Sequence, residues 1–336
     1  RGAASSIYGG RAVAGVINIT TKEAKEGTKV NAAVSYGSNN TWKKSLNVNS
    51  KVNEKISFGL GYENSSSDGY RGYFRTATGS TNLPVMSDGK TYVYGGRGEK
   101  EWKNETYTAN IKYNFDDSKS LKYNFTKNES NKQYVNPFSY VKDSNGNQVF
   151  NGSATTQNGH KVSFTTDKFY GYDNVNEKDT HILTYNDTEN NFTTSFSYVD
   201  EKVDGFSSAN LPSGYDNNDW TGAGDLSNHP GKVYNFSVEK AWENIGAHTI
   251  VVGANYKKEK MIQHRYNLTT WRDHNSIIDE YATDSGETKN LALFIQDEYK
   301  LSDPLTMYLG LRYDHYEKGD GSYWSNESGK EYDYSS

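Results

Sequence analysis

Eight of the 37 basic residues are arginines, and five of these, Arg71, Arg75, Arg97, Arg265 and Arg272, fall in two polar stretches crowded with aromatic rings. Tyr70, Tyr73, Phe74, Tyr92, Tyr94 and Trp102 accompany the first three, and Tyr266 and Trp271 the last two. A guanidinium group matches planar anionic oxygens, and an aromatic face takes a flat ligand, so this pairing suits capture of an anionic, planar small molecule. The same arginines could instead brace their own loops. No catalytic set competes with this reading. The seven histidines lack the helical two-His spacing of a zinc enzyme, no Gly-x-Ser-x-Gly or phosphate-binding loop occurs, and cysteine is absent. Asp143-Ser144-Asn145-Gly146-Asn147 has the look of a calcium loop, but its glycine is misplaced and no glutamate follows at the required spacing, so it reads as a turn. Neither an enzyme nor a resident metal or cofactor is expected.

The elements that must hold those residues are written in a period of two. Ile56, Phe58, Leu60 and Tyr62 alternate with Ser57, Gly59, Gly61 and Glu63, giving one greasy and one polar face. The same parity runs through 30–36, 42–48, 107–115, 121–125, 192–198, 234–238, 250–256 and 305–313, with weaker candidates at 180–185 and 291–299. That makes about eleven strands. Phe58, Leu60, Ile111, Phe196, Val252 and Leu309 belong to the apolar face, and Asn47, Asn110 and Ser195 to the polar one. Tyr36, Tyr62, Tyr113, Tyr198, Tyr256 and Tyr313 stand near strand ends, where tyrosines form a girdle at a membrane boundary or pack across strands.

Composition agrees. Only 33% of the 336 residues are hydrophobic, yet 14% are aromatic, with 28 Tyr, 31 Gly and 5 Pro, a profile that fits half-buried strands better than a conventional core. With 42 acidic residues against 37 basic, the net charge is −5, which argues against nucleic acid as a partner. Mean hydropathy is −0.92, and no apolar run approaches the length of a membrane helix. A membrane could be crossed only by strands.

Connections alternate in length. Short turns are expected at 52–55, 116–120, 186–191, 243–247 and 302–304, with long polar loops at about 65–103, 132–178, 200–232 and 258–288, and another opening after Tyr316. Short turns at one rim and long loops at the other are the pattern of an outer-membrane barrel.

The first twenty-two residues differ from the rest: small residues lead into a β-like run at Val16 to Thr20. Arg1, Gly2, Ser5, Ile7, Tyr8, Gly9, Ala12, Gly15, Val16, Ile17, Asn18, Ile19, Thr21 and Lys22 closely resemble the end of the plug domain of TonB-dependent outer-membrane transporters. Ala3 departs from the proline many members carry but keeps the position small. Phe294 to Leu301 and Leu309 to Asp314 look like a strand pair frequent in these barrels, so the resemblance spans the chain.

The resemblance implies an all-β, antiparallel transmembrane barrel of 22 strands with a plugged lumen. This chain would supply the C-terminal tail of the plug at 1–24 and the N-terminal half of the barrel at 25–336, as an internal fragment. It further implies an active transporter in the outer membrane of a Gram-negative-type bacterium, driven by the TonB complex. Outer-membrane lipid and lipopolysaccharide would surround it, and the cargo would be scarce, most readily a ferric siderophore or similar chelate. On that reading the capture residues are Tyr70, Arg71, Tyr73, Phe74, Arg75, Arg97, Trp102, Arg265, Trp271 and Arg272, with lipopolysaccharide phosphates as rival partners of the arginines. Arg1, Gly2, Tyr8, Gly9, Gly15 and Asn18 carry the plug motif. A passive porin or surface adhesin would share the barrel grammar but lack the plug tail.

Overall fold

The computed structural model describes residues 26–77, 92–155, 159, 161–169, 172–208, 222–326 and 330–334. The proposed plug tail, with Arg1, Gly2, Tyr8, Gly9, Gly15 and Asn18, lies outside them. Apart from two single 3-10 turns, at Thr166–Lys168 and His274–Ser276, the regular structure of the described residues is β, with antiparallel pairing between its strands. In chain order the strands are β1 (Gly27–Gly37), β2 (Thr41–Lys51), β3 (Ile56–Ser67), β4 (Phe74–Ala77), β5 (Tyr92–Gly96), β6 (Glu99–Asn114), β7 (Lys119–Val135), β8 (Phe138–Ser139) and β9 (Gly152–Thr155). They continue as β10 (Lys161–Phe164), β11 (Tyr172–Asp187), β12 (Phe192–Ser208), β13 (Gly224–Ile245), β14 (His248–Leu268), β15 (Ile277–Ser302), β16 (Leu305–Lys318), β17 (Gly321–Ser325) and β18 (Lys330–Tyr334).

One sheet dominates, in the order β1-β2-β3-β6-β7-β11-β12-β13-β14-β15-β17-β18, with β16 also pairing β15. All eleven strands expected from the alternation are in it, namely β1 to β3, β6, β7 and β11 to β16. The strand pair read at Phe294 and Leu309 is also there: Phe294 lies opposite Arg312 and Ile295 opposite Leu311.

The two faces separate as the period requires. Phe58 lies opposite Ile111, Ile111 opposite Tyr123, Leu183 opposite Phe196, Phe196 opposite Phe236, and Tyr256 opposite Leu291, so these side chains share one face across the sheet. Leu60, Ile111, Phe196, Val252 and Leu309 are exposed on it, as an apolar surface without a protein partner. Asn47, Gly61 and Thr108 share the other face, as do Asn110, Asn124 and, further along, Ser195 with Ser237. A Cβ on Gly59 or Gly61 would meet Asn49, Asn110, Asn47 or Thr108 side chains, which shows how closely the polar groups crowd that face. Tyrosines on the apolar face pair across strands: Tyr62 with Tyr107 and Tyr198 with Tyr234, each with centroids 5.0 Å apart. Cross-strand packing is thus the observed role of these four tyrosines, and it leaves their hydroxyls at the edge of the apolar face.

Turns at one rim are short and locally satisfied. At 115–118 the Asp116 carboxylate accepts from the Ser118 hydroxyl and from the Ser118 and Lys119 amides, which together hold its pKa down at about 2. At the other rim Asn39 and Asn40 both adopt positive φ, joining β1 to β2 in a turn whose twist matches the strands. The loop expected at 65–103 contains β4 and β5, and that at 132–178 contains β8 to β10. The loops expected at 200–232 and 258–288 are largely strand: β12 runs to Ser208, β13 starts at Gly224, and only 269–276 separate β14 from β15. The alternation fades there because polar residues enter both faces and the apolar ones that remain, such as Phe206, Leu226, Met261 and Leu268, are too scattered to show a period of two, while backbone pairing continues.

Candidate functional site

Beyond the long-loop rim, β4, β5 and β8 form a three-stranded sheet. The β9–β10 hairpin supplies a core of Phe150, Val162, Phe164 and Phe169, against which Tyr94 packs. Arg75 ties the two together, donating from Nε to the Lys168 carbonyl. This small folded unit stands over a cleft of about 390 Å³ lined by Ser38, Asn39, Thr41, Ser67, Gly69, Tyr70, Gly72, Tyr73, Lys100, Trp102 and Tyr134. Ser67 lies opposite Trp102 and Lys100 opposite Tyr134, at register positions that belong to the polar face. The cleft therefore opens on the same side of the wall as Asn47 and Asn110.

Cationic groups and rings interleave at this cleft. The Arg97 guanidinium lies 4.6 Å from the Tyr73 centroid and 5.5 Å from that of Tyr134. Arg75 lies 5.3 Å from Tyr73, and Lys100 5.5 Å from Tyr134. Tyr73 and Tyr134 meet edge to face at 6.2 Å, and Phe74 meets Phe138 in the same way at 6.0 Å. Arg97 Nε is buried without a hydrogen-bond partner. Arg71 is different: its Nε donates to Glu99 Oε1 at 2.7 Å, which cancels its charge, and its guanidinium covers Phe138 at 4.8 Å.

The remaining three candidates lie elsewhere. Arg265, on the polar face of β14, donates to Gln263 Oε1 at 3.2 Å and pairs with Asp284 at 2.8 Å. Gln263 donates to the Ser227 hydroxyl at 2.8 Å, which also meets His229 Nε2 at 2.8 Å. This network borders a second recess of about 1020 Å³ whose lining includes Val199, Val233 and Met261. Burial, then the Arg265 charge, pushes the His229 pKa down. Trp271 is fully buried with Phe206, Leu226 and Leu268. Phe206 and Leu226 carry the parity of Phe196 and Phe236, so this cluster sits on the opposite face from the cleft. Arg272, at φ 72°, stacks over Trp271 at 4.1 Å, donates to the Tyr134 carbonyl at 2.5 Å and forms an ion pair with Asp173. These two residues brace the 269–276 connection.

The fold thus gathers Tyr70, Tyr73, Phe74, Arg75, Arg97 and Trp102, neutralises Arg71 beside them, and separates Arg265, Trp271 and Arg272. Lys100, Tyr134, Phe138 and His229 escaped the sequence reading. Register could have found two of them: Asn114 opposite Ser120 at the short turn dictates that Lys100 stands opposite Tyr134. Asp143 accepts from the Asn145 and Asn147 amides at 2.8 Å and from the Asn147 side chain at 3.0 Å, in a turn closed by its own groups. Among the described residues no group of His, Asp and Glu could hold a metal ion.

Comparison with known proteins fits this geometry. Residues 169–336 match the family model described as TonB dependent receptor-like, beta-barrel. Over 166 residues the chain is 27% identical to the vitamin B12 transporter BtuB of Vibrio vulnificus, covering 49% of this chain and 24% of that protein. In structure it is similar to the siderophore receptor PiuA of Acinetobacter baumannii, with a TM-score of 0.61 at 16% identity over 99% of this chain and 48% of that one. The ferric citrate transporter FecA gives 0.64 at 14% identity, over 99% and 44%. The ferric enterobactin receptor PfeA of Pseudomonas aeruginosa gives 0.58 at 16%, over 96% and 45%. The chain spans about half the length of these solved structures. The exposed apolar band is then the lipid face of a barrel wall and the polar face its lumen. A matched model over half its length, together with the alternating strands and sorted turns, shows that this chain belongs to the TonB-dependent receptor β-barrel family.

Proposed function

We propose that the intact protein is an outer-membrane receptor that takes up a scarce nutrient with energy from the TonB complex, with a ferric siderophore or similar iron chelate as cargo. The observation that carries this reading is the cleft between the β1–β2 turn, β2, β3, β6 and β7. It opens on the lumen side of the outer rim and is walled by Tyr70, Tyr73, Trp102 and Tyr134, with Lys100 in its lining and Arg97 between two of its rings. Aromatic walls accept a flat chelate, and fixed cations retain its negative charge. Residues 1–24, by their motif, form the end of a plug that a passive porin or adhesin would not need.

A second cargo, a corrinoid, is favoured by the likeness to the vitamin B12 transporter and by the charge-balanced network of His229, Gln263, Arg265 and Asp284 at the second recess. Uptake of radiolabelled ferric catecholates, ferric citrate and cyanocobalamin by cells carrying the full-length protein, with and without TonB, separates the readings. TonB-dependent accumulation of an iron chelate supports the first. Accumulation of cobalamin alone supports the second, and accumulation independent of TonB points to a passive pore.

A further inference from the structure

Arg272 holds a backbone conformation that its residue type disfavours. Its φ is 72°, and among the described residues every other side-chain-bearing residue at positive φ is an asparagine. A residue with a Cβ keeps the left-handed region only where its surroundings over-determine it, and such positions concentrate where a side chain must be aimed. The neighbouring residue fixes it here. Trp271 is buried with Phe206, Leu226 and Leu268 on the face of the wall opposite the cleft, and its N–H donates to the Gly222 carbonyl at 2.6 Å. The rest of the connection closes on itself: the Thr269 amide donates to the Ser276 carbonyl at 3.0 Å, the Ser276 hydroxyl to the Thr270 carbonyl at 2.7 Å, and Asp273 accepts from the Asn275 amide at 2.9 Å. From this anchored turn the Arg272 side chain reaches the end of β7.

There the β7–β11 ladder has stopped, its last pair at this end being Lys132 with Asn174. The buried Tyr134 backbone beyond it still needs partners, and one ion pair supplies both. The Tyr134 N–H donates to Asp173 Oδ1 at 2.9 Å, the Tyr134 carbonyl accepts from Arg272 Nη2 at 2.5 Å, and Asp173 pairs with Arg272. These three contacts close a ring around a single residue. Its side chain is a wall of the cleft: the Tyr134 ring meets Tyr73 edge to face at 6.2 Å and lies 5.5 Å from both the Arg97 and the Lys100 cations. We infer that Arg272 is a positioning residue for ligand capture, fixing the Tyr134 ring, and with it the spacing of rings and cations in the cleft, from a connection anchored on the opposite face. The inference rests on the cleft reading proposed above. A ring held in place before the ligand arrives costs no ordering on binding, whereas a ring on a loose strand end does. The guanidinium suits the task because its planar fork serves the Asp173 carboxylate and the Tyr134 carbonyl at once, which the compact ammonium of a lysine does less well.

The full-length receptor, purified in mild detergent, is titrated calorimetrically with ferric enterobactin, ferric citrate and cyanocobalamin, while heat-modifiable mobility reports the intact barrel. Arg272→Gly removes the clamp yet suits φ 72°, so a role confined to the turn predicts no loss of affinity. Positioning predicts at least fivefold weaker binding of whichever probe the parent binds. Arg272→Lys, expected between the two, gives the same comparison if Arg272→Gly inserts poorly. In a Tyr134→Ala background, Arg272→Gly should add less than a twofold loss, because the ring it acts through is gone. A fluorotyrosine at position 134 should shift or broaden its fluorine resonance in Arg272→Gly before any ligand is added. Parent-like affinity in Arg272→Gly and Arg272→Lys while Tyr134→Ala weakens binding, or an equal loss in both backgrounds, would overturn the positioning role and leave the cleft standing. Binding unchanged by Tyr134→Ala and by Arg97→Ala/Lys100→Ala would instead refute the cleft as the capture site, and the positioning role with it.

Discussion

With Arg71 cancelled by Glu99, the positive charge left at the cleft is that of Arg75, whose Nε is held by the Lys168 carbonyl, and of Arg97 and Lys100, which both lie against Tyr134. Replacing Arg97 and Lys100 by alanine in the full-length protein should weaken binding of an anionic chelate at least tenfold by fluorescence quenching. Charge-assisted hydrogen bonds contribute roughly 1.5–3 kcal/mol each when well formed, and less at a partly open site. Arg71→Ala should change affinity far less, and the reverse order would remove the cleft's electrostatic role. Arg272 has a different task. Burial pushes the Asp173 carboxyl above the ordinary carboxylate range, while the Arg272 charge and the Tyr134 amide oppose the rise. A raised folded-state pKa means that the protonated form favours the fold. That contribution is present at acid pH and is lost as pH rises through the folded value. Arg272→Ala leaves Asp173 buried without its cation, a change worth roughly 3–5 kcal/mol at a fully buried pair and less here, since Arg272 is partly exposed. Amide hydrogen exchange near Tyr134 and Asp173 should accelerate in this variant, more at pH 7.5 than at pH 4.5 after correction for intrinsic rates. Adding Asp173→Asn should flatten that difference.

Among the elements, Gly69 shapes the cleft as much as any side chain does. It joins β3 to the segment carrying Tyr70 at φ 72°, and a Cβ there would collide with the Lys100 carbonyl. Gly69→Ala should therefore cost about 1–3 kcal/mol locally. It should reduce ligand affinity while leaving heat-modifiable electrophoretic mobility, a readout of the intact barrel, unchanged. Leu60→Arg should act oppositely, costing about 2–4 kcal/mol of barrel stability in refolding titrations with cleft chemistry untouched. The contrast also explains what could be read in advance. Strands such as Ile56 to Tyr62 announce themselves because lipid demands an apolar residue at every second position. The outer parts of β13 and β14, around Lys232 and Lys260, carry no such demand and read as loop. β4, β5 and β8 are too short for a period to show, so the meeting of Tyr73 with Tyr134 and of Phe74 with Phe138 was illegible, although each ring was visible singly.

For the whole molecule, the decisive property is which face meets lipid. Nitroxide labels at positions 196 and 309 of the full-length protein in bilayers should be accessible to oxygen dissolved in the hydrocarbon. Labels at 110 and 195 should report an aqueous or protein-lined interior, and exchanged accessibilities would invert the register of the wall. The wall is also uneven. β1 to β3 have 11, 11 and 12 residues, close to what a tilted crossing needs, whereas β13 to β15 have 22, 21 and 26. About ten residues or more of each long strand therefore stand clear of the bilayer, and β14 turns into β15 through 269–276 alone. A rim built of paired backbone has already lost its conformational freedom on folding. A ligand meeting the β14–β15 part of the mouth need not order it again, so there the entropy that a mobile lid would surrender on each capture is not spent. If the proposed uptake holds, selectivity on this flank rests on steric fit to a fixed contour, and a cargo too broad for that contour is refused at encounter rather than after engulfment.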